Sequence, residues 1–137
     1  MKRLADWKPR LIAYLAAKAP LVIEPGVHDC ALFPAGAVEA MTGVDLAAPY
    51  RGRYTTFAGG RRVLRRDGYA DHMALIAAHL PEAHVSTALT GDIAILPTED
   101  GPAVGVVGDG GVAYVLAPSG GLALCPMAPV QRLFKVV

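Results

Sequence analysis

Two apolar textures divide this chain, and their separation constrains its fold more than any other feature. Before residue 90, apolar residues recur at helical spacing. After it come "DIAILP", "AVGVVGD", "VAYVLAP", "LALCPM" and "RLFKVV", short aliphatic and β-branched runs punctuated by Gly, Pro and Asp. "GDGG" at 108–111 and "PSGG" at 118–121 predict hairpin turns between those runs. Helices first and strands last predict an α+β architecture, with N-terminal helices packed on a C-terminal antiparallel sheet. No internal repeat, low-complexity segment or long linker interrupts the 137 residues, so one domain over 1–137 is expected.

The first half reads as a series of helices. Trp7, Leu11 and Leu15 recur at intervals of four and predict an apolar stripe, with Pro9 tolerated in the first turn and Pro20 as the stop. A second helix is expected from near Cys30 to Met41, with Asp29 as its N-cap and Gly43 ending it. In that register Pro34 falls just beyond the first turn, where it removes a donor and bends the helix. Thr56 caps a third helix through "FAGGRRVLRRDG", and Asp71 caps a fourth, "HMALIAAHL", ending at Pro81.

Composition narrows the function classes. More than half the residues are apolar and fewer than a fifth are charged, which excludes a disordered chain. A net charge of +1 does not describe a protein that binds polyanions over its whole surface. Two cysteines, Cys30 and Cys125, are too few for a disulfide framework. The uncharged stretch Leu11–Ala17, flanked by Arg10 and Lys18, predicts an amphipathic helix rather than a signal peptide. The uncharged segment 110–130 is broken by too many Gly and Pro residues for a membrane helix. A soluble protein without cofactor is expected.

"VHDCALFPAGAVEAMTG", residues 27–43, sets Asp29 and Cys30 before the second helix. A cysteine at a helix N-terminus is expected to be acidified, since the positive end of the dipole favours the thiolate. Nucleophilic catalysis also needs a proton donor for the leaving group, normally His. Without one, Cys30 is a small apolar residue that begins a helix, and Asp29 needs no role beyond capping and orienting it.

The order of these elements resembles the NlpC-type cell-wall peptidases, small papain-like cysteine enzymes. "HDCALFPAGAVEAMTG" is similar to their Asp-Cys-Ser-Gly-Phe helix, with Asp29, Cys30 and Phe33 matching, and "GDIAIL" at 91–96 resembles their Gly-Asp strand opener. The likeness runs from about residue 20 to 128. A closer resemblance, over nearly the whole chain, is to short phage and prophage proteins of unassigned function encoded among tail genes. It rests on the Trp-bearing first helix, the Asp-Cys helix ending in Thr-Gly, the "RGRY" turn and "GPAVGV". The resemblance implies a papain-like fold with Cys30 as nucleophile. It also exposes a departure. The family's base histidine falls at Ala103, its orienting residue falls near Val115 or Leu116, and Ala31 and Leu32 replace the Ser-Gly after the nucleophile.

Four histidines are candidates for a substitute base. His28 is too near Cys30 in sequence for an easy ring-to-sulfur approach. His72 and His79 lie seven apart on one helical face and reach Cys30 only if the fold brings them. His84, in the loop before "GDIAIL", has the route that passes the Cys30 helix. Each reads more simply as a packing or surface His. His28, Cys30 and a further His lack any established ligand spacing, so no metal is expected. "RRVLRR" places Arg61, Arg62, Arg65 and Arg66 on two adjacent helical rows, with Arg51 and Arg53 nearby. They read as a solvated face or as a docking face for an acidic partner, or for DNA passing a tail tube. No stacking aromatics interleave with them, which disfavours nucleic acid.

Three functions follow from these residues and the resemblance. The first is a structural subunit of a phage or prophage-type tail tip or baseplate hub, a pseudoenzyme that contacts other hub proteins and has lost its base. The second is a cysteine hydrolase of peptidoglycan peptides. The third is a tail assembly factor in the host cytoplasm, absent from the finished virion.

Overall fold

A computed structural model describes residues 1–137. Four helices, α1 (Trp7–Lys18), α2 (Leu32–Thr42), α3 (Phe57–Arg66) and α4 (His72–His79), precede the strands β1 (Glu82–Ala83), β2 (Ile93–Thr98), β3 (Gly101–Val107), β4 (Val112–Leu116), β5 (Leu122–Pro126) and β6 (Arg132–Phe134). The strands form one antiparallel sheet in the order β1-β6-β2-β3-β4-β5. The expected α+β class is therefore what the chain adopts. No helix is long and apolar enough to cross a membrane.

The helix signals act where the sequence puts them, with one shift of register. The Thr56 hydroxyl accepts the Gly59 N–H at 3.0 Å, and Asp71 Oδ1 accepts the Ala74 N–H at 2.8 Å, each satisfying a donor that the first helical turn leaves open. Gly43 ends α2 in the left-handed conformation, at φ 81°. α2 starts at Leu32 rather than at Cys30, however. Pro34 is then its third residue, inside the turn whose N–H groups have no intrahelical partner, and the expected bend has no cause.

α2 is the centre of the core. All its residues are buried except Glu39 and Ala40, so it is apolar on nearly every face. The Tyr14 hydroxyl of α1 donates to the Phe33 carbonyl at 2.7 Å, fixing the two helices side by side. Strand alternation divides β2 between two apolar clusters. Ile93 and Ile95 face α2 with Val104, Val106 and Phe134, whereas Ala94 and Leu96 face a smaller cluster with Val107, Val115 and Leu133. A strand buried on both faces explains why "IAIL" is uninterrupted by polar residues.

The Gly-Asp pair that opens β2 has a structural task. Asp92 is fully buried and accepts from the N–H groups of Leu89 at 2.9 Å and Val136 at 3.1 Å, from Arg3 at 3.1 Å, and from Lys135. Arg3 also donates to the carbonyls of Val136 and Thr90, both at 2.7 Å. One carboxylate thus joins the residues before α1, the start of β2 and the segment after β6.

β3 and β4 pair only through Val106↔Tyr114 and Val107↔Ala113. Beyond that point the strands part, and Gly105 stands at the divergence. A Cβ there would meet Val115 Cγ1 at 2.9 Å and the Tyr114 carbonyl oxygen at 3.1 Å, so the close approach requires glycine. The opening between the strands faces Cys30.

Candidate active-site cleft

Cys30 belongs to the turn that leads into α2, and Asp29 holds that turn. Asp29 Oδ1 accepts the N–H groups of Ala31 and Leu32, both at 3.0 Å. Its Oδ2 accepts the Gly26 N–H at 2.9 Å and the Tyr54 hydroxyl at 2.6 Å. Asp29 therefore braces the turn that precedes α2, whose N-cap position is Ala31 rather than the expected Asp29, and its buried carboxylate also grips the loop before α3.

The expected acidification of Cys30 is reversed. Part of the residue is open to solvent, yet the thiol is enclosed enough for burial to push it above its ordinary value of 9.0. The Asp29 charge pushes the same way, and a backbone hydrogen bond opposes both. Burial is the larger cause, and Asp29, whose carboxylate already accepts the Ala31 and Leu32 amides, adds to it.

Two hollows meet at Cys30. One, of about 260 Å³, lies between the α2 turn and α3 and includes Asp29, Tyr54, Phe57 and Arg61. The other, of about 400 Å³, is the opening between β3 and β4 and includes Ala103, Val104, Val115, Leu116 and Cys125. Cys30 and His72 line both. Ala103, paired with Leu96 across β2 and β3, presents a methyl group on the wall of this second hollow.

The histidines are distributed differently from the sequence expectation. His84 lines neither hollow; its ring nitrogen lies 2.8 Å from the Ser86 hydroxyl and 3.1 Å from the Ser86 amide, at the surface. The imidazole that reaches the Cys30 cleft is His72, because Asp71 caps α4 and thereby sets the first residue of that helix against the cleft. Burial lowers the His72 pKa, against the pull of Asp71 and Asp29, and so favours the neutral ring. No side-chain hydrogen bond orients it. His28 is buried edge-on to Phe33 with its Nε2 unpartnered, and His79 Nδ1 lies 2.9 Å from the Leu75 carbonyl oxygen. No group of three or more His, Cys, Asp or Glu side chains converges as a metal-ligand set.

The arginines of "RRVLRR" separate into two environments. Arg61 borders the Cys30 cleft, whereas Arg62, Arg65 and Arg66 turn to the other side of α3, where Arg53 joins them. Arg53, which the sequence placed near this cluster, joins it from the loop before the helix.

A family model described as "Domain of unknown function (DUF6950)" matches residues 2–136. No curated protein matches the chain. Among solved structures the chain is similar to the crystal structure of the NlpC/p60 domain of peptidoglycan hydrolase SagA, at 17% identity and a TM-score of 0.53. That match covers 96% of this chain and 97% of the other. At such identity the likeness shows the fold alone, and the fold is NlpC-like.

Proposed function

The chain belongs to the DUF6950 family, whose description assigns no activity, and from that premise we propose that it is a non-hydrolysing subunit built on a peptidase-like scaffold, serving as an adaptor in a phage or prophage-type tail tip. The observation that carries the loss of hydrolysis is Ala103 on the cleft wall. Peptide cleavage by a thiol needs a group that takes the thiol proton and returns one to the leaving amine. A methyl group does neither, and the raised Cys30 thiol leaves little thiolate at neutral pH. The tail context is supported by the sequence resemblance to tail-region proteins. Its partners are other tail-tip proteins.

One observation favours a second reading, a cysteine hydrolase of peptidoglycan peptides. Cys30 and His72 share both hollows, and a neutral His72 is in the protonation state of a general base. The two readings divide on turnover. Purified protein is incubated with peptidoglycan stem peptides beside Cys30→Ala and His72→Ala. The adaptor reading expects no release of cleavage product from any of the three. Turnover by wild type that is lost in both variants establishes the hydrolase instead. Mass spectrometry of purified particles tests the tail assignment: an adaptor is retained, whereas an assembly factor is absent.

A further inference from the structure

The arginines on the far side of α3 form a site of their own. Arg53, Arg62, Arg65 and Arg66 line one open hollow together with Thr55, Thr56, Tyr54 and Val63. All four guanidinium groups are exposed, and none takes part in an ion pair or side-chain hydrogen bond. The contrast with the rest of the chain is sharp. Arg3, Arg10, Arg51 and Arg132, the arginines outside 53–66, are each paired with a carboxylate.

Helix stability does not account for the arrangement. Arg65 and Arg66 lie in the last turn of α3, where the helix dipole favours cations. Arg62 lies a turn earlier, at spacings of three and four from them, where like charges oppose helix formation. Arg53 is not helical at all. Positive charge is therefore gathered locally in a chain whose net charge is only +1.

We propose that the hollow lined by Arg53, Arg62, Arg65 and Arg66 binds a segment of a partner protein that carries clustered Asp and Glu carboxylates. Its polar lining is rich in donors. Each guanidinium offers a planar fork that matches a carboxylate. Thr56 Oγ1 already accepts the Gly59 N–H, so its own proton is free to donate outward. An extended nucleic acid fits less well. Tyr54, the one aromatic residue in the lining, has its hydroxyl committed to Asp29 and its ring against Gly60, so close that a Cβ there would meet Tyr54 Cε2 at 2.9 Å. Single strands need free aromatic faces to stack on. A long polyanion would also leave this hollow for a surface that carries no comparable excess of positive charge.

The test is fluorescence anisotropy with a labelled poly-glutamate peptide, compared with a single-stranded oligonucleotide of equal charge. The full chain is expected to bind the peptide saturably, more weakly as salt rises, and more tightly than the oligonucleotide. Arg62→Glu with Arg66→Glu lowers the affinity by at least about tenfold and lowers the unfolding midpoint only slightly, through the helix dipole at Arg66. Arg53→Glu, which lies outside the helix, lowers it in the same direction and carries the test if the double variant unfolds. Absence of saturable peptide binding overturns the proposal, as does equal binding by the variants. Tighter binding of the oligonucleotide overturns it in favour of a nucleic-acid site.

Discussion

The Tyr54 hydroxyl donates to Asp29 Oδ2 at 2.6 Å, joining the loop before α3 to the carboxylate that braces the turn before α2. Burial first, and then the hydrogen bond to Asp29 and its charge, raise the Tyr54 pKa well above its ordinary value, so the phenol keeps its proton and remains a donor. Cys30 is held between the two segments that this bond unites. Its position is thus set by a hydrogen-bond network rather than by packing of its own small side chain.

That network has a measurable energy. Asp29→Ala strips the brace and leaves the Gly26 N–H and the Tyr54 hydroxyl unpartnered, an expected loss of about 3–4 kcal/mol in urea denaturation. Tyr54→Phe removes one donor and is expected to cost about 1–2 kcal/mol. The double variant should fall short of the sum by about 1 kcal/mol or more, and strict additivity would show that the two residues do not act together.

The raised Cys30 thiol predicts slow chemistry. In a Cys125→Ala background, iodoacetamide at pH 7 is expected to modify Cys30 more slowly than an unstructured peptide thiol, with the rate still climbing past pH 9.0 rather than levelling off there. Ala103→His places an imidazole on the wall of the hollow that Cys30 lines. Severalfold faster alkylation at pH 7 is the expected result, read by mass spectrometry of the modified chain. An unchanged rate would mean that position 103 cannot act on the sulfur.

One buried imidazole, His28, and one half-buried imidazole, His72, set the acid limb of stability. Burial lowers the folded pKa of both His28 and His72 below 6.5; Lys18 adds to the effect at His28, where Asp29 opposes it, and Asp71 and Asp29 oppose it at His72. The unfolded chain therefore takes up these protons first as pH falls. Stability is fully present above about 6.5 and declines as pH drops through the lowered folded values. Unfolding midpoints measured from pH 7.5 to pH 5 should fall, and fall less in His28→Leu, which also removes the unpartnered Nε2. A wild-type curve that is flat across that range contradicts this account.

Asp92 is expected to be the costliest acidic residue to remove. Asp92→Ala leaves Arg3 and Lys135 without their shared counter-charge and two backbone N–H groups without an acceptor. A loss of about 3–5 kcal/mol is expected, measured by denaturant titration. Asp92→Asn, which keeps an acceptor, should lose distinctly less.

The sequence disclosed elements better than meetings between them. Thr56, Asp71 and Gly43 could be read because capping is local, its donors lying within one turn of the residue that serves them. The α2 start was displaced because Asp29 acts through a turn that precedes the helix, a geometry that Asp-Cys alone does not specify. β1, two residues long, carries no periodicity and exists only because β6 lies beside it. The exchange of His84 for His72 has the same origin. Periodicity tells which face of a helix is apolar, but which end of α4 borders the Cys30 hollow depends on the path of the loops. Asp92 looked like a motif residue opening a strand, and only the folded chain shows the three segments that it binds.

The sheet order bears on when this molecule can finish assembling itself. β2 through β5 form a meander whose neighbours emerge in succession during synthesis, so each hairpin can close soon after its second strand appears. β6 does not extend that series; it lies between β1 and β2. Glu82 therefore waits for Phe134, and Ile93 waits for the same residue. Until then β2 has one unsatisfied flank, the edge that recruits other chains when left exposed. Such long-range closure slows the last step of folding relative to the first hairpins. A nascent chain stalled before residue 132 would hold a helical half and an open meander, and the aggregation hazard of this protein is concentrated in that interval.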